Sequence, residues 1–491
     1  MTVGSASDPA CAPHRLVVIG GGPKAAAIAA RAAAMKVVGL GQIPEIVVVE
    51  EFEFGAAWNG EHGYTNGMEL LCTPPGMDVG YPYARTAAFG SVMFDRRRQS
   101  DAAVLSPLSR RIAQEIQRRF SWQAFLFEQS DEQASLARDI ARRSPPPYHG
   151  LWARYLTWVF KEAAVCLGSD LFRKIKGCAV KIFPTGGSSV PTPIWTIHIA
   201  GPPPAVLTAK GVVLTGTGRA KPPPLAHGQR IEAPFLTDAR SFWSHTEDFL
   251  ELARNPGADL KIGVIGAGGA AATIICWLCE AFQTTEMGQF WSISPRAAFF
   301  PRGDGQAERQ WAEIPERWVA LPAQTRRAIL ERTDAGVISG RLKDRVERTT
   351  RIQYLPMRVK EIMRRGTISR IWPNLHVVGE HGDSDNEYTH LVDASGFDPW
   401  TLLDLAHDPG GTTRRLADAL LAPGGKTIRN VFEESVSDHL DLPDLACLGG
   451  DFSGSWKGLH VPVLARMRGM GLANLGALGV MASLTLDPYL E

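Results

Sequence analysis

No stretch of this 491-residue chain is long and apolar enough to cross a bilayer. The longest apolar run, Leu472 to Leu484, is interrupted by glycines and falls short of the ~20 residues that a spanning helix needs. The N-terminus, Met1 to Pro13, lacks the basic stretch followed by an apolar core that marks a signal peptide. Residues 1–14 are expected to form a disordered tail. Net charge is almost absent, +1 from 52 basic and 51 acidic residues, so no overall field recruits nucleic acid or an acidic membrane. Cysteine is sparse and odd in number, seven in all. That argues against a disulfide framework and for a reducing compartment. None of the 12 histidines stands in HExxH spacing, or in HxH spacing with a third ligand. No P-loop and no Ser-His-Asp arrangement competes either. No metal ligand and no protein nucleophile is therefore assigned. What is left is a soluble, cytoplasmic, globular protein whose length allows two to four domains and whose 45% hydrophobic content can fill large cores.

What is present starts near the N-terminus. Arg15 to Ile19 is an apolar run that enters Gly20-Gly21-Gly22-Pro23-Lys24-Ala25, and an alanine-rich segment follows. This predicts strand, tight turn, helix. Gly20, Gly22 and Ala25 fill the small positions of a GxGxxG/A dinucleotide turn: the first permits the turn, the second lets backbone approach a pyrophosphate, and the third lets helix pack on strand. The helix start offers free N–H groups and a positive dipole end to the phosphates. The next strand, Ile46 to Val49, ends in Glu50 and Glu51. An acid at that place, Glu50, is suited to a ribose hydroxyl pair.

A second turn of the same kind lies at Gly266, Gly268 and Ala271, after the strand Leu260 to Ile265. Its following strand, Gln289 to Ser294, ends without an acid. Pro295 and Arg296 come next, with Arg302 close behind. Loss of the acid and gain of a base suits a ribose 2′-phosphate, hence NADPH. Between the turns, residues 67–82 form a glycine- and proline-rich loop with aromatics, residues 100–165 are expected to be largely helical, and residues 176–215 strand. Residues 318–363 are expected to be helical and charged, and strand returns at 389. The glycines at Gly469, Gly471 and Gly476 again allow a ligand to lie close. The expected class is α/β, with two Rossmann-like dinucleotide-binding domains, the second inserted into the first, and helical additions around a substrate site. The divisions are 15–225 for the first part of an FAD domain, 226–388 for an NADPH domain, and 389–491 for completion of the FAD domain and the substrate site. Cys276 and Cys279 form a CxxC, but their neighbours are apolar and no base lies beside them; core packing is the expected role.

Beyond these turns the chain resembles the flavin-dependent N-hydroxylating monooxygenases, the lysine and ornithine hydroxylases of siderophore pathways, and most of all the mycobactin-type lysine N6-hydroxylases. The resemblance covers nearly the whole chain. It rests on Gly20 to Ala25 with Trp58, on Asp78-Val79-Gly80-Tyr81-Pro82-Tyr83, on Phe120 to Gln123, and on Trp152 with Tyr155 to Trp158. Further matches are Ile293-Ser294-Pro295, Arg302 to Gly305, Arg332 to Val337, Asp393-Ala394-Ser395-Gly396 and Gly471 to Asn474. It implies two cofactors, FAD and NADPH, and three reactants brought together: NADPH, O2 and a primary amine. NADPH reduces the flavin, oxygen adds at ring carbon 4a to give a hydroperoxide, and a neutral amine takes the distal oxygen to become a hydroxylamine. Lysine's ε-amine has a reference pKa near ~10.4, so the site must favour its neutral form, plausibly by desolvation. Pro23, Lys24, Trp58, Ser294, Ser395, Gly471 and Asn474 join the cofactor set on this basis.

The chain departs from the family pattern at two substrate positions. Met77 stands where the family usually has a lysine that helps hold the substrate carboxylate. Arg309 stands where it usually has an asparagine. Both are expected to face the substrate. The resulting expectation is an FAD- and NADPH-dependent N-hydroxylase of L-lysine or a related amine, possibly homo-oligomeric. Other readings are hydroxylation of ornithine, arginine or aspartate, Baeyer–Villiger or sulfur oxidation, disulfide reduction at Cys276 and Cys279, and a flavin-binding scaffold without turnover.

Overall fold

The computed structural model describes residues 15–83 (except 63, 74 and 75), 107–128, 147–185, 194–254, 260–283, 288–303, 305, 308, 311, 318, 320–334, 336–349, 351–367, 372–407, 457–464, 470–471 and 474–490. The expected tail at 1–14 and Arg309 lie outside them.

The first sheet grows from the strand β1 (Arg15–Ile19), flanked by β2 (Glu45–Glu50), β3 (Phe172–Lys176) and β4 (Gly211–Leu214). A late strand, β10 (Leu459–His460), pairs with β4 and completes the order β10-β4-β1-β2-β3, every pair parallel. The second sheet uses β5 (Leu236–Asp238), β6 (Leu260–Ile265), β7 (Gly288–Ser294), β8 (Ile352–Pro356) and β9 (His390–Asp393), in the order β8-β7-β6-β9-β5, again all parallel. Both have Rossmann-like strand orders, and in such sheets a ligand lies at the carboxyl ends of the strands where the order reverses. The strands are near-continuous apolar runs because both faces are covered, by helices on one side and, on the other, by antiparallel strands that bring Ile182, Trp195 and Ile197 to the first sheet and Ile362, Leu375 and Val377 to the second.

Two expectations are corrected. His390–Asp393 was assigned to the completion of the first domain, but it pairs with β6 in the second sheet, so return to the first domain falls beyond Asp393. The return leg Phe397–Asp398 pairs antiparallel with the outgoing leg Arg219–Ala220. Its apolar run fits either parallel sheet equally, and only pairing decides between them. Secondly, in the stretch expected to be helical to 363, the described residues beyond 320 are α-helical in α6 (Ala323–Thr333) and α7 (Gly340–Glu347) and then turn to strand. Ile352–Pro356 and Val359–Thr367 are strands. The charges of Val359–Thr367 suggested a solvated helix, but its pairing with Pro373–Gly379 fixes an extended chain.

Around α1 (Pro23–Val37) pack α2 (Pro107–Phe120), α3 (Trp122–Glu128), α4 (His149–Leu167) and α8 (Leu478–Leu486), leaving Lys24 to Met35 of α1 wholly buried. Alanine on nearly every side lets these helices approach closely, and a helix apolar all round is a core helix. Two charged residues are buried with it, Lys24 and Arg31. Arg31 grips Asp487 with two hydrogen bonds of 2.8 Å, and Ser483 donates to the same carboxylate at 2.6 Å. This pair ties the C-terminus to the helix that carries the first glycine turn. The helix between, α5 (Gly269–Ala281), plays the part of α1 in the second domain.

Breaking a buried pair strands a charge, which costs ~3–5 kcal/mol. Arg31→Met is expected to lower the unfolding free energy read from urea titration by that order at pH 7, and Arg31→Met with Asp487→Leu to recover most of the loss. Equal destabilisation by the single and double variants would show that the ion pair is not the cause.

Candidate active site

The first turn is set by φ of +100° at Gly20, where a Cβ would sit 2.5 Å from Thr215 Oγ1. Thr215 in turn donates to Ile19 O at 2.8 Å, so the turn lies against the end of β4. Gly22 caps α1 without a side-chain hydrogen bond, Pro23 occupies the first turn, and a Cβ on Gly22 would meet nothing within 4 Å. The helix start therefore presents bare N–H groups to open space, and Ala25 is fully buried beneath. Glu50, at the end of β2, accepts from Gly21 N at 2.5 Å and from Phe52 N at 3.1 Å, which holds its carboxylate over the turn. Lys24 is 5% exposed, and burial alone pulls its ammonium down to about 8. No described carboxylate answers it. An unanswered buried cation beside bare helix N–H groups fits a dinucleotide pyrophosphate.

Trp58 stands edge-on to His149 with ring centroids 4.9 Å apart, and His149 Nδ1 lies 2.7 Å from Thr65 Oγ1. Burial pulls His149 down to about 4, so its ring is neutral. Beyond it the chain reaches Met77, which is buried. The next residue holds this loop in place: Asp78 accepts from Tyr83 Oη at 2.5 Å, Gly80 N at 3.1 Å and Trp122 N at 2.8 Å. Burial pushes the Asp78 carboxyl up to about 6 against those hydrogen bonds. Tyr155 Oη donates to Phe120 O at 2.6 Å, beside Val79 N at 3.3 Å, and stacks among Trp122, Phe125, Trp152 and Trp158. The loop that carries Met77 and Asp78 thus rests on a buried aromatic layer.

The second turn repeats the first. Gly266 has φ of +126°, and a Cβ there would sit 2.4 Å from Ala394 O and 3.3 Å from Ser395 N. Gly268 caps α5 without a side-chain hydrogen bond, and Ala271 is buried. Ser294, at the end of β7, is buried and its Oγ has no hydrogen-bond partner. Arg296 donates to Gly336 O at 3.2 Å beside this turn. Arg302 is placed differently from Arg296: its charge bears on Cys72 and on Asp334. Asp334 Oδ2 accepts Gly471 N at 2.9 Å, and Asn474 Oδ1 accepts Gly476 N at 2.6 Å, so the C-terminal glycine segment docks on the second domain.

The residues that join the halves were not visible in the sequence. Glu69, 2% exposed, pairs with Arg345 at 2.8 Å, and Arg345 also grips Glu280 at 2.5 Å. Cys72 packs on the second turn, 2.8 Å from where a Cβ on Gly269 would lie. These partners are remote in sequence and carry no motif. Cys276 and Cys279 are free, buried thiols pushed up to about 12 by burial, so thiolate chemistry is strongly disfavoured there.

No family model matches the chain. It is 30% identical over 468 residues to L-lysine N6-monooxygenase MbtG of Mycobacterium sp. (strain MCS), covering 95% of this chain and 93% of that one. The chain belongs to the L-lysine N6-monooxygenase family. It is thus an enzyme, a flavin-dependent N-hydroxylating monooxygenase of α/β class with two Rossmann-type domains, one for FAD and one for NADPH. Among solved structures it resembles lysine monooxygenase NbtG from Nocardia farcinica, with 26% identity, TM-score 0.68, and 96% and 98% of the two chains covered. The fold is shared with the Kutzneria sp. 744 ornithine N-hydroxylase KtzI, solved with reduced FAD, NADP+ and L-ornithine, at 15% identity and TM-score 0.61 over 97% and 99% of the chains. Among the described residues no helix is long and apolar enough to cross a membrane.

The depressed Lys24 ammonium gives a pH test of its place in this family member. If the FAD pyrophosphate pairs with it, binding raises its pKa and takes up a proton above pH 8. FAD affinity of the apoprotein is then expected to be flat below about pH 8 and to fall by up to tenfold per unit above it. Lys24→Met is expected to remove that slope and weaken FAD ~10–100-fold. A slope unchanged in Lys24→Met, measured by flavin fluorescence titration, would refute the pairing.

Proposed function

We propose that this chain N-hydroxylates the side-chain amine of L-lysine or a closely related amine, with FAD at the Gly20–Ala25 turn and NADPH at the Gly266–Ala271 turn. The observation that carries the reading is the pair of uncapped glycine turns, both flanking one seam, in a chain that matches a lysine N6-monooxygenase over nearly its full length. Glu50 suits the FAD ribose, Lys24 the pyrophosphate, and Trp58 the flavin side of the cleft. Ser294 and Arg296 suit the 2′-phosphate of NADPH, with Ser395 beside the turn. Gly471 and Asn474 close the cleft from the C-terminal side. When bound, FAD supplies the redox chemistry, taking electrons from NADPH and activating O2.

The protein's own part is to bind the amine, keep it neutral and exclude water. An amine becomes neutral when it is desolvated, and Lys24 shows the size of that effect in this interior, about 8 against an ordinary 10.5. Met77 and the aromatic layer behind Asp78 supply a dry wall of the same kind. The product, a hydroxylamine, is suited to siderophore or related natural-product assembly. A small-molecule amine and O2 are the partners.

The test is a panel of L-lysine, L-ornithine, L-arginine, L-aspartate and 1,5-diaminopentane, scored for hydroxylamine against NADPH consumed. L-lysine is expected to give hydroxylamine in near-equal amount to NADPH. Oxygenation of ketones or sulfides, with only peroxide formed from every amine, would overturn the reading.

A further inference from the structure

Arg302 lies where three parts of the chain converge. Its backbone N–H donates to Ile338 O at 2.7 Å, and Gly303 N donates to Arg332 O at 2.8 Å, which pins the residue beside α6. Cys72, from the first-domain loop that leads to Met77, feels its charge on one side. Asp334, which holds the C-terminal segment through Gly471, feels it on the other. Yet Arg302 Nε is buried with no hydrogen-bond partner, and no described carboxylate forms an ion pair with it. Leaving a buried guanidinium N–H unanswered is unfavourable, so the position is kept for a group that arrives.

Asn474 shares Asp334 with it: its amide engages that carboxylate, and its Nδ2 is buried without a hydrogen bond of ordinary length. An unanswered Arg302 Nε and the Asn474 amide, on either hand of one carboxylate, complement the head of an α-amino acid: donors for its carboxylate, Asp334 for its ammonium. The phosphate end of the second turn is served separately, by Arg296 and the uncapped start of α5. Met77, on the substrate loop, brings no cation.

We propose that Arg302 binds the α-carboxylate of the amino-acid substrate and so selects amino acids over simple diamines. This deepens the amine-hydroxylase reading and rests on it. A guanidinium binds a carboxylate through parallel N–H donors, which an ammonium at the same place matches only in part.

The test compares L-lysine with 1,5-diaminopentane, the same amine chain without the carboxylate, on FAD-loaded wild type, Arg302→Met and Arg302→Lys. In wild type kcat/KM is expected to favour lysine. Arg302→Met is expected to cut that preference ten- to a hundredfold, chiefly through the KM for lysine, and Arg302→Lys to keep part of it. NADP+ affinity, read by equilibrium titration, is expected to shift less than threefold. A preference that survives in Arg302→Met overturns the proposal, as does a tenfold loss of NADP+ affinity with the preference intact. Should Arg302→Met fail to retain FAD, the preference in Arg302→Lys decides: a value equal to wild type overturns the proposal. If wild type forms no hydroxylamine from lysine, the preceding reading fails on its own. Binding of L-lysine and 1,5-diaminopentane to wild type and Arg302→Met then still decides the role of Arg302.

Discussion

The structure depends on one ion network at the seam between its halves. Arg345 of the second domain reaches across to Glu69, a carboxylate almost wholly out of water, and holds Glu280 with the same guanidinium. A carboxylate so placed is costly unless paired; burial pushes the Glu69 carboxyl upward and Arg345 opposes that shift. Because Glu69 and Cys72 belong to one short loop, the pairing also sets Cys72 against Gly269 and so brings the first domain onto the second glycine turn. A redox enzyme with two dinucleotides needs its cofactors in one cleft. Here that registration comes from a charged contact and a close backbone approach.

The same loop carries the wall proposed to face the substrate. Five residues beyond Cys72 it reaches Met77, and Asp78 then fastens it to the start of α3 and to Tyr83. An amine hydroxylase has to desolvate a base whose ordinary form is charged, and a dry wall made rigid by buried hydrogen bonds does this without a catalytic side chain. Lys24 and Asp78 point the same way. One is an ammonium pulled down to about 8 and the other a carboxyl pushed up to about 6, both chiefly by burial. The cleft favours neutral forms.

Much of the site was legible in the sequence because its parts are local. Gly20, Gly22 and Ala25, and Gly266, Gly268 and Ala271, act through the turn they themselves form, so spacing alone reveals them. Glu50 and Arg296 could be read because they follow strands that the same periodicity marks. Arg302 was legible as a base near the second turn but not as a resident of the seam, since its orientation depends on Cys72 and Asp334, far off in the chain. The stretch from Ile352 to Thr367 misled for a related reason. Its charges resemble a solvated helix, and only pairing makes it sheet, Ile352–Pro356 with Phe290–Ser294 and Val359–Thr367 with Pro373–Gly379.

By itself the sequence determined the two turns, the change from an acid to a base after the second, and the family, because each is written in residues close together. Tertiary structure decided what those turns face. It placed β9 in the second sheet, closed the seam through Glu69 and Arg345, and left Arg302 Nε buried without a hydrogen bond. Each of these joins segments remote in the chain, and burial alone gives such contacts their energy. That burial is a property of the folded packing, and no run of neighbouring residues carries it.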